Sequence, residues 1–538
     1  MPKILGRFLR KITAMDQVKD LLAITPWWAY VLLVLLIVFL RDIFQKKHTI
    51  SHNFPIVGHL RYALERIGPE LRQYIVANNR EELPFNRSQR SWIYASSKKQ
   101  NNYQGFGTDQ DQSAAGYIFI NPALFPYYAQ PDHPNVKEKD LIPCAKIIGE
   151  YNGRRRPFRP RSIVNISAMS FGSLSARAVE SLNLGAHEAG SYHNTGEGGF
   201  SPYHQKGADI MLQIGTAYFG VRDEEGRFEM KKLLRLTQSY QQIRAIEIKL
   251  SQGAKPGKGG VLPASKITKE IAEIRHIPMG KDVVSPSNHT AFTNPGELLD
   301  FIEDIASETG LPVGFKSAVG KLELWEELTD LMLERNVGPD FITIDGGEGG
   351  TGAAPPAFAN HVSLPFVFAF AAVYKIFQKK GLTNRVTFIA SGKLGFPSNA
   401  LMAFAMGADL INVAREAMMS VGCIQAQSCH TNTCPAGVAT QNKWLQRGLN
   451  VNDKSQRSAQ YLKTLRKEIL EITHAAGYEH PCQVTMDDVD VGMGDNNYTT
   501  TLAQAYKYQK EAVPFNNMLE LVECPHLGGI KSPEVHAH

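Results

Sequence analysis

The stretch AIEIKLSQGAKPGKGG, residues 245–260, decides the fold. Its first six residues, apolar but for Glu247 and Lys249, have the length of a buried strand, and the ten that follow form a loop with four glycines and two lysines. The same unit recurs on both sides. Residues 163–168 make a strand that runs into Met169-Ser170-Phe171-Gly172-Ser173, and further strands are predicted at 313–315, 341–344, 386–390 and 410–413. Strands alternating with helices pair in parallel, and this many repeats suits a closed α/β (β/α)8 TIM barrel better than an open sheet. Such a barrel carries its chemistry on the loops after the strands. The barrel is expected over 161–480, with an extension at 49–160 that packs on it and a second, partly irregular one at 481–538.

A chain of 538 residues with 43% apolar content has ample material for this core. The net charge of +6 is mild, and no dense basic stripe with interleaved aromatics occurs, which argues against a nucleic-acid partner. No G-x-G-x-x-G turn stands between a strand and a helix, so the chain is expected to bind no NAD(P)H of its own. The extension has one concentrated charge, Arg154-Arg155-Arg156, which reads as a solvated turn. Asp487, Asp488 and Asp490 read the same way, having no calcium-loop spacing. Residues 1–48 differ from everything after them. From about 21 to 40 they are nearly all apolar and flanked by charge, long enough for one transmembrane helix with Trp27, Trp28 and Tyr30 as an interfacial belt. A signal peptide and a buried core helix are the competing readings.

Three of the six cysteines fall within twelve residues, as Cys423-x5-Cys429-x4-Cys434 followed by Pro435. Thiolates this close repel one another unless a metal or a disulfide takes up the charge; a disulfide would leave one thiol odd, and a cysteine cluster ending in Cys-Pro is a form of iron–sulfur signal. Three ligands suggest a three-iron cluster; zinc, with His430 as a fourth ligand, and unrelated buried thiols are the alternatives. An oxygen-sensitive cluster belongs in a reducing compartment, which places the body on the cytoplasmic face of the inner membrane. After two late strands come Ser391-Gly392-Lys393 and Ala414-Arg415, with a helix between them, and Gly392, Lys393 and Arg415 have the parts of a barrel phosphate site. Lys316 ends a strand in VGFKSAVG, where a buried cation would stabilise a reduced flavin. Alone it would read as a surface lysine; beside the phosphate loops it reads as flavin-facing.

Taken in order, SAMSFGSLS (167–175), NTGEGG (194–199), the stretch from 246 to 260, SPSNH (285–289), GGTGAAP (349–355) and GCIQAQSCHTNTCPAGVATQ (422–441) resemble the FMN-binding synthase domain of the glutamate synthase family. The chain resembles short, membrane-anchored forms without a glutaminase domain. The resemblance implies FMN held by Ala168, Met169, Ser170, Gln213, Lys249, Lys316, Gly349, Gly350, Thr351, Ser391, Gly392, Lys393, Ala414 and Arg415. It also implies a [3Fe-4S] cluster on Cys423, Cys429 and Cys434. The family reduces 2-iminoglutarate, formed from 2-oxoglutarate and ammonia, with hydride from the flavin. Lys249, Lys255 and Gln252 are then expected to hold a dicarboxylate, with Glu197 as general acid or base. Implied partners are a ferredoxin-like or membrane-bound electron donor and an ammonia-delivering subunit. Departures occur at Tyr218, where the family often carries arginine, at Lys258, where it usually has an acid, and at Gly347-Glu348, where it has His-Asp. A related flavoenzyme acting on another amine and a redox-responsive membrane module remain as alternatives.

Overall fold

Eight short strands close on themselves in chain order. They are β1 (Val164–Ile166), β2 (His193–Asn194), β3 (Ile210–Ile214), β4 (Ile243–Lys249), β5 (Val313–Ser317), β6 (Phe341–Asp345), β7 (Thr387–Ser391) and β8 (Leu410–Val413). Every pairing is parallel, and the seam is β8 on β1, with Ile411 opposite Val164 and Val413 opposite Ile166. This is the expected barrel, seen in a computed structural model that describes residues 26–45, 48–128, 141–494, 498–513 and 515.

Six strands coincide with the apolar runs in the sequence; β2 and β3 went unpredicted. β2 is two polar residues long and has no periodicity to detect, and it is followed by a 3-10 turn, Pro202–His204, instead of a crossover helix. The helix Ala176–Ala189 packs on the 25-residue helix Val451–Ala475 so closely that a Cβ on Gly185 would meet Ser458 Cβ at 2.6 Å. The end away from the loops is plugged by Cys144, Ile148, Phe158 and Tyr192 against the first residues of the strands.

Two expectations about polar runs are corrected here. Arg154 is not solvated: its guanidinium pairs with Glu303 at 2.7 Å and with Asp340 at 2.9 Å beneath β5 and β6. Nor is the aspartate run a loose solvated segment. Val489–Gly492 forms the middle strand of a small antiparallel sheet with Ile118–Ile120 and Thr499–Thr501, and Asp488 accepts hydrogen bonds from Thr485.

By its internal contacts the chain divides at Gln89/Arg90, inside the expected extension. In the first unit, Trp27–Phe44 is an 18-residue helix of mean hydropathy 2.0. Among the described residues it alone is long and apolar enough to cross a membrane. The expected span began near residue 21, and 21–25 lie outside the described residues.

Candidate active site

All eight strands send residues from their C-terminal ends to one cavity, whose empty space out to solvent is about 1540 Å³. Its wall after β4 lies unusually close to the turn after β6. A Cβ on Gly253 would sit 1.9 Å from the Gly346 carbonyl oxygen, so only glycine lets the Gly253 N–H donate to Asp345 Oδ2 at 2.9 Å. Gly259 is constrained in the same way, with a Cβ there falling 1.8 Å from the Ser285 carbonyl oxygen. The loop of residues 251–260 is thus folded flat on its neighbours, which carries Lys255 inward to 6% exposure.

One side of the cavity is cationic. Lys249 Nζ pairs with Glu197 Oε1 at 3.0 Å and donates to Gln252 Oε1 at 3.3 Å, while Gln252 Nε2 donates to the Gly350 carbonyl at 2.5 Å. Burial alone would raise the Glu197 carboxyl, but Lys249 and Lys255 together outweigh it and hold the group below its ordinary value. Glu197 is therefore ionised at neutral pH, ready to accept a proton and not to give one. Burial lowers Lys255, with Glu197 opposing. Arg275 completes this side. Its Nη2 donates to the Phe171 carbonyl at 2.8 Å and lies 3.4 Å from Ser170 Oγ, its Cζ lies over the Phe219 ring 5.1 Å from the centre, and burial brings it down to about 10.

The floor holds a second cation under tight control. Lys316, buried in β5, pairs with Asp345 at 3.3 Å. Burial would lower it, yet Asp345 and Glu247 raise it overall and keep it charged. Both carboxylates are fixed: Asp345 Oδ1 accepts from Ser391 Oγ at 2.8 Å, and Glu247 accepts from Gln213, Asn194 and Thr343 at 2.6 to 2.7 Å. The far corner is built from Gly392 and Lys393, both at positive φ, and from Arg415, whose Nη2 donates to the Glu348 carbonyl. Burial, then repulsion from Arg415, lowers Lys393. Two half-buried cations in each other's field, close in sequence to the N-terminus of Pro397–Ala405, are relieved by a bound anion, which suits a phosphate.

The thiol loop borders the same cavity, where Cys429 and His430 contribute to the lining while Cys423 and Cys434 stand behind. Burial pushes Cys423 up to about 12, with Cys429 and Cys434 adding to the rise, so the three sulfurs lie within one another's fields. Lys266 answers them: its Nζ donates to the Cys429 carbonyl at 2.7 Å and to those of Ala439 and Ser173 at 3.1 and 3.3 Å. The loop turns through Gln425, Gln427 and Asn432 at positive φ, conformations that side chains rarely adopt. A zinc ion asks for ligands converging on one point at about 2.0–2.3 Å. Among the described residues no three His, Cys, Asp or Glu side chains converge in that way.

A family profile described as the conserved region in glutamate synthase matches residues 141–479. The chain belongs to the glutamate synthase family. It is a glutamate synthase-like oxidoreductase, and the cavity is an enzyme's. The glutamate synthase large subunit-like protein YerD of Bacillus subtilis (strain 168) is 40% identical over 483 residues, covering 84% of this chain and 91% of that one. The archaeal glutamate synthase (NADPH) of Methanocaldococcus jannaschii is 35% identical over 321 residues, and the match spans 59% of that relative's length. A solved structure of mandelate oxidase superposes loosely, with a TM-score of 0.42 and 13% identity over 81% of this chain and 99% of that one.

Within the glutamate synthase domain every flavin or catalytic residue expected from sequence borders the one cavity, and so does Cys429. Arg275, Lys266, Asp345 and Glu247 were missed. Asp345 had a signal, an acid closing a strand before two glycines. Arg275 had none, since IAEIRH reads as an ordinary surface helix. Tyr218, the departure from the family's arginine, does not line the cavity. Its hydroxyl accepts from the N–H of Thr290 and Ala291 and donates to His289 Nδ1, each at 3.1 Å. The neutral His289, lowered to about 4 chiefly by burial, donates from Nε2 to the Lys249 carbonyl at 2.9 Å. Tyr218 thus steadies the backbone that presents Lys249.

Proposed function

We propose that this chain is an FMN- and iron–sulfur-bearing member of the family that reduces 2-iminoglutarate, formed from 2-oxoglutarate and ammonia, to glutamate. The observation that carries this reading is the charge of the cavity. Lys249, Lys255 and Arg275 stand against one carboxylate, Glu197, leaving two positive charges for a dicarboxylate to neutralise. The Lys393–Arg415 corner would hold the FMN phosphate, Lys316 would meet the flavin ring, and Cys423, Cys429 and Cys434 would hold the [3Fe-4S] cluster. When bound, FMN supplies the hydride and the cluster supplies single electrons from the donor.

The chain's own residues do the rest. The cations fix both ends of the substrate, which converts a bimolecular encounter into an oriented one. Glu197, ionised and 3.0 Å from Lys249, takes a proton from the incoming nitrogen as the imine forms. Asp345 and Glu247 keep Lys316 charged at the floor. The flat loop over residues 251–260 narrows access for water.

Further proposals rest on less. The helix Trp27–Phe44 is the anchor of a single-pass protein whose body faces the cytoplasm, consistent with its hydropathy and its exposed surface. A ferredoxin-like or membrane-bound protein supplies electrons and a separate subunit supplies ammonia. The test is anaerobic reoxidation of the reduced protein. Rapid return of the flavin absorbance only with 2-oxoglutarate and ammonium together is the expected result. Reoxidation by neither would overturn the substrate and favour a related flavoenzyme acting on another amine.

A further inference from the structure

The first unit carries a second apolar surface besides the helix Trp27–Phe44. The helix Gly58–Leu71 reads GHLRYALERIGPEL, and Leu60, Leu64, Ile67 and Leu71 recur at the spacing that aligns them on one stripe. Leu60 is 63% exposed and Leu64 52%, and the apolar surface continues into the following turn of π-helix, where Ile75 and Val76 are over 70% exposed. Arg61, Glu65, Arg66 and Glu70 fall on the opposite side, with Arg61 and Glu65 paired at 2.7 Å.

A pin decides where this stripe begins. Asp42, in the last turn of the apolar helix, is 2% exposed while its neighbours on that helix are open. Its Oδ2 accepts from the Ile56 N–H at 2.9 Å, and both oxygens lie 2.8 to 2.9 Å from His59 Nε2. The His48 ring meets the Tyr62 ring edge-on at 5.2 Å, and Gln45 bonds the backbone at both Asp42 and His48. The first turn of Gly58–Leu71 is therefore clamped to the end of Trp27–Phe44, where a spanning helix leaves the hydrocarbon.

We propose that residues 58–76 form an interfacial helix lying in the headgroup layer of the leaflet from which Trp27–Phe44 emerges, so that the chain meets the lipid surface twice. The proposal rests on the reading of Trp27–Phe44 as a membrane span. The occupant of the stripe is lipid because its start is held at the span's exit and its apolar stripe continues from an apolar helix. The end of the span and the sequence just after it are basic, with Arg41 in the last helical turn and Lys46 and Lys47 following in the sequence, as suits anionic headgroups.

The test uses the full chain in phosphatidylcholine–phosphatidylglycerol vesicles and a lipid-soluble carbene reagent that labels only groups in the hydrocarbon and its boundary, mapped by peptide mass spectrometry. Label is expected in two peptides, one from 27–44 and one from 58–76. The doubly substituted Leu64→Glu, Ile67→Glu chain should lose about tenfold of the second signal and keep the first. Label in 27–44 alone overturns the interfacial helix and leaves the span standing, whether the stripe is then bare or covered by a second copy, which a doubled particle mass would identify. Label in neither overturns the span itself.

Discussion

Lys249 and Glu197 meet at 3.0 Å although they follow strands that are not neighbours, β4 and β2. Both residues line the cavity, and the pair holds the carboxylate ionised. The replacement Lys249→Ala is expected to cost about a hundredfold or more in kcat/KM while leaving flavin content unchanged. Loss of flavin instead would show that the lysine serves the cofactor and not the substrate.

The same pair sets an acid limb. Because Glu197 is held below its ordinary value, activity and the stability it contributes are complete above the normal carboxylate range and are lost as pH falls through the lower, folded value. In Lys249→Ala that limb should move to higher pH. A pH–rate profile of the residual activity reads it, and an unmoved limb would remove Glu197 from the proton transfer.

Arg275 is buried against Ser170 and Phe171 with its charge turned toward Glu197. Arg275→Gln should raise KM for the dicarboxylate about tenfold to a hundredfold, the loss of one charge-assisted hydrogen bond, with a smaller change in kcat. Steady-state kinetics separate the two, and an unchanged KM would assign Arg275 to packing alone.

Lys316 depends on Asp345 inside the barrel. Asp345→Asn keeps the shape but leaves a buried ammonium short of its nearest counter-charge, a loss of about 3 kcal/mol in unfolding free energy. Denaturant titration measures this, and the flavin potential should rise, since a cation no longer offset by the Asp345 carboxylate stabilises reduced flavin more. A stable variant with an unshifted potential would contradict both statements.

For the cluster proposed on the thiol loop, Cys429→Ser should abolish the iron expected in anaerobically purified protein. Unchanged iron content would sink the assignment. Lys266→Met should leave the thiols in place but lower iron retention, because the ammonium both ties the loop at the Cys429 carbonyl and offsets the charge of the sulfurs.

The repeat of apolar strand and glycine-rich loop was enough to read the barrel, because six of the eight strands coincide with apolar runs in the chain. β2 is too short for that, and its role became visible only through its place between β1 and β3. Residues whose place is set by local sequence, such as Lys249, Gln252 and Ser391-Gly392-Lys393 at or just after strand ends, could be read from the chain as bordering the cavity. Arg275 and Glu247 were not, since what distinguishes them is burial among groups far away in sequence. Arg154 misled for the same reason in reverse: three adjacent arginines look solvated, and the carboxylates that bury one of them lie 149 and 186 residues downstream.

The seam between β8 and β1 carries one more consequence, for how the protein is made. The cavity mouth takes Ser167 to Ser170 from the first strand and Ala414 and Arg415 from the last, so it does not exist on a nascent chain until some 250 residues separate its two halves. Until then β1 and the newest strand present open edges, the kind that recruit other chains. Cofactor capture is thereby deferred until synthesis has passed β8, and folding of this enzyme is most exposed to aggregation during that interval.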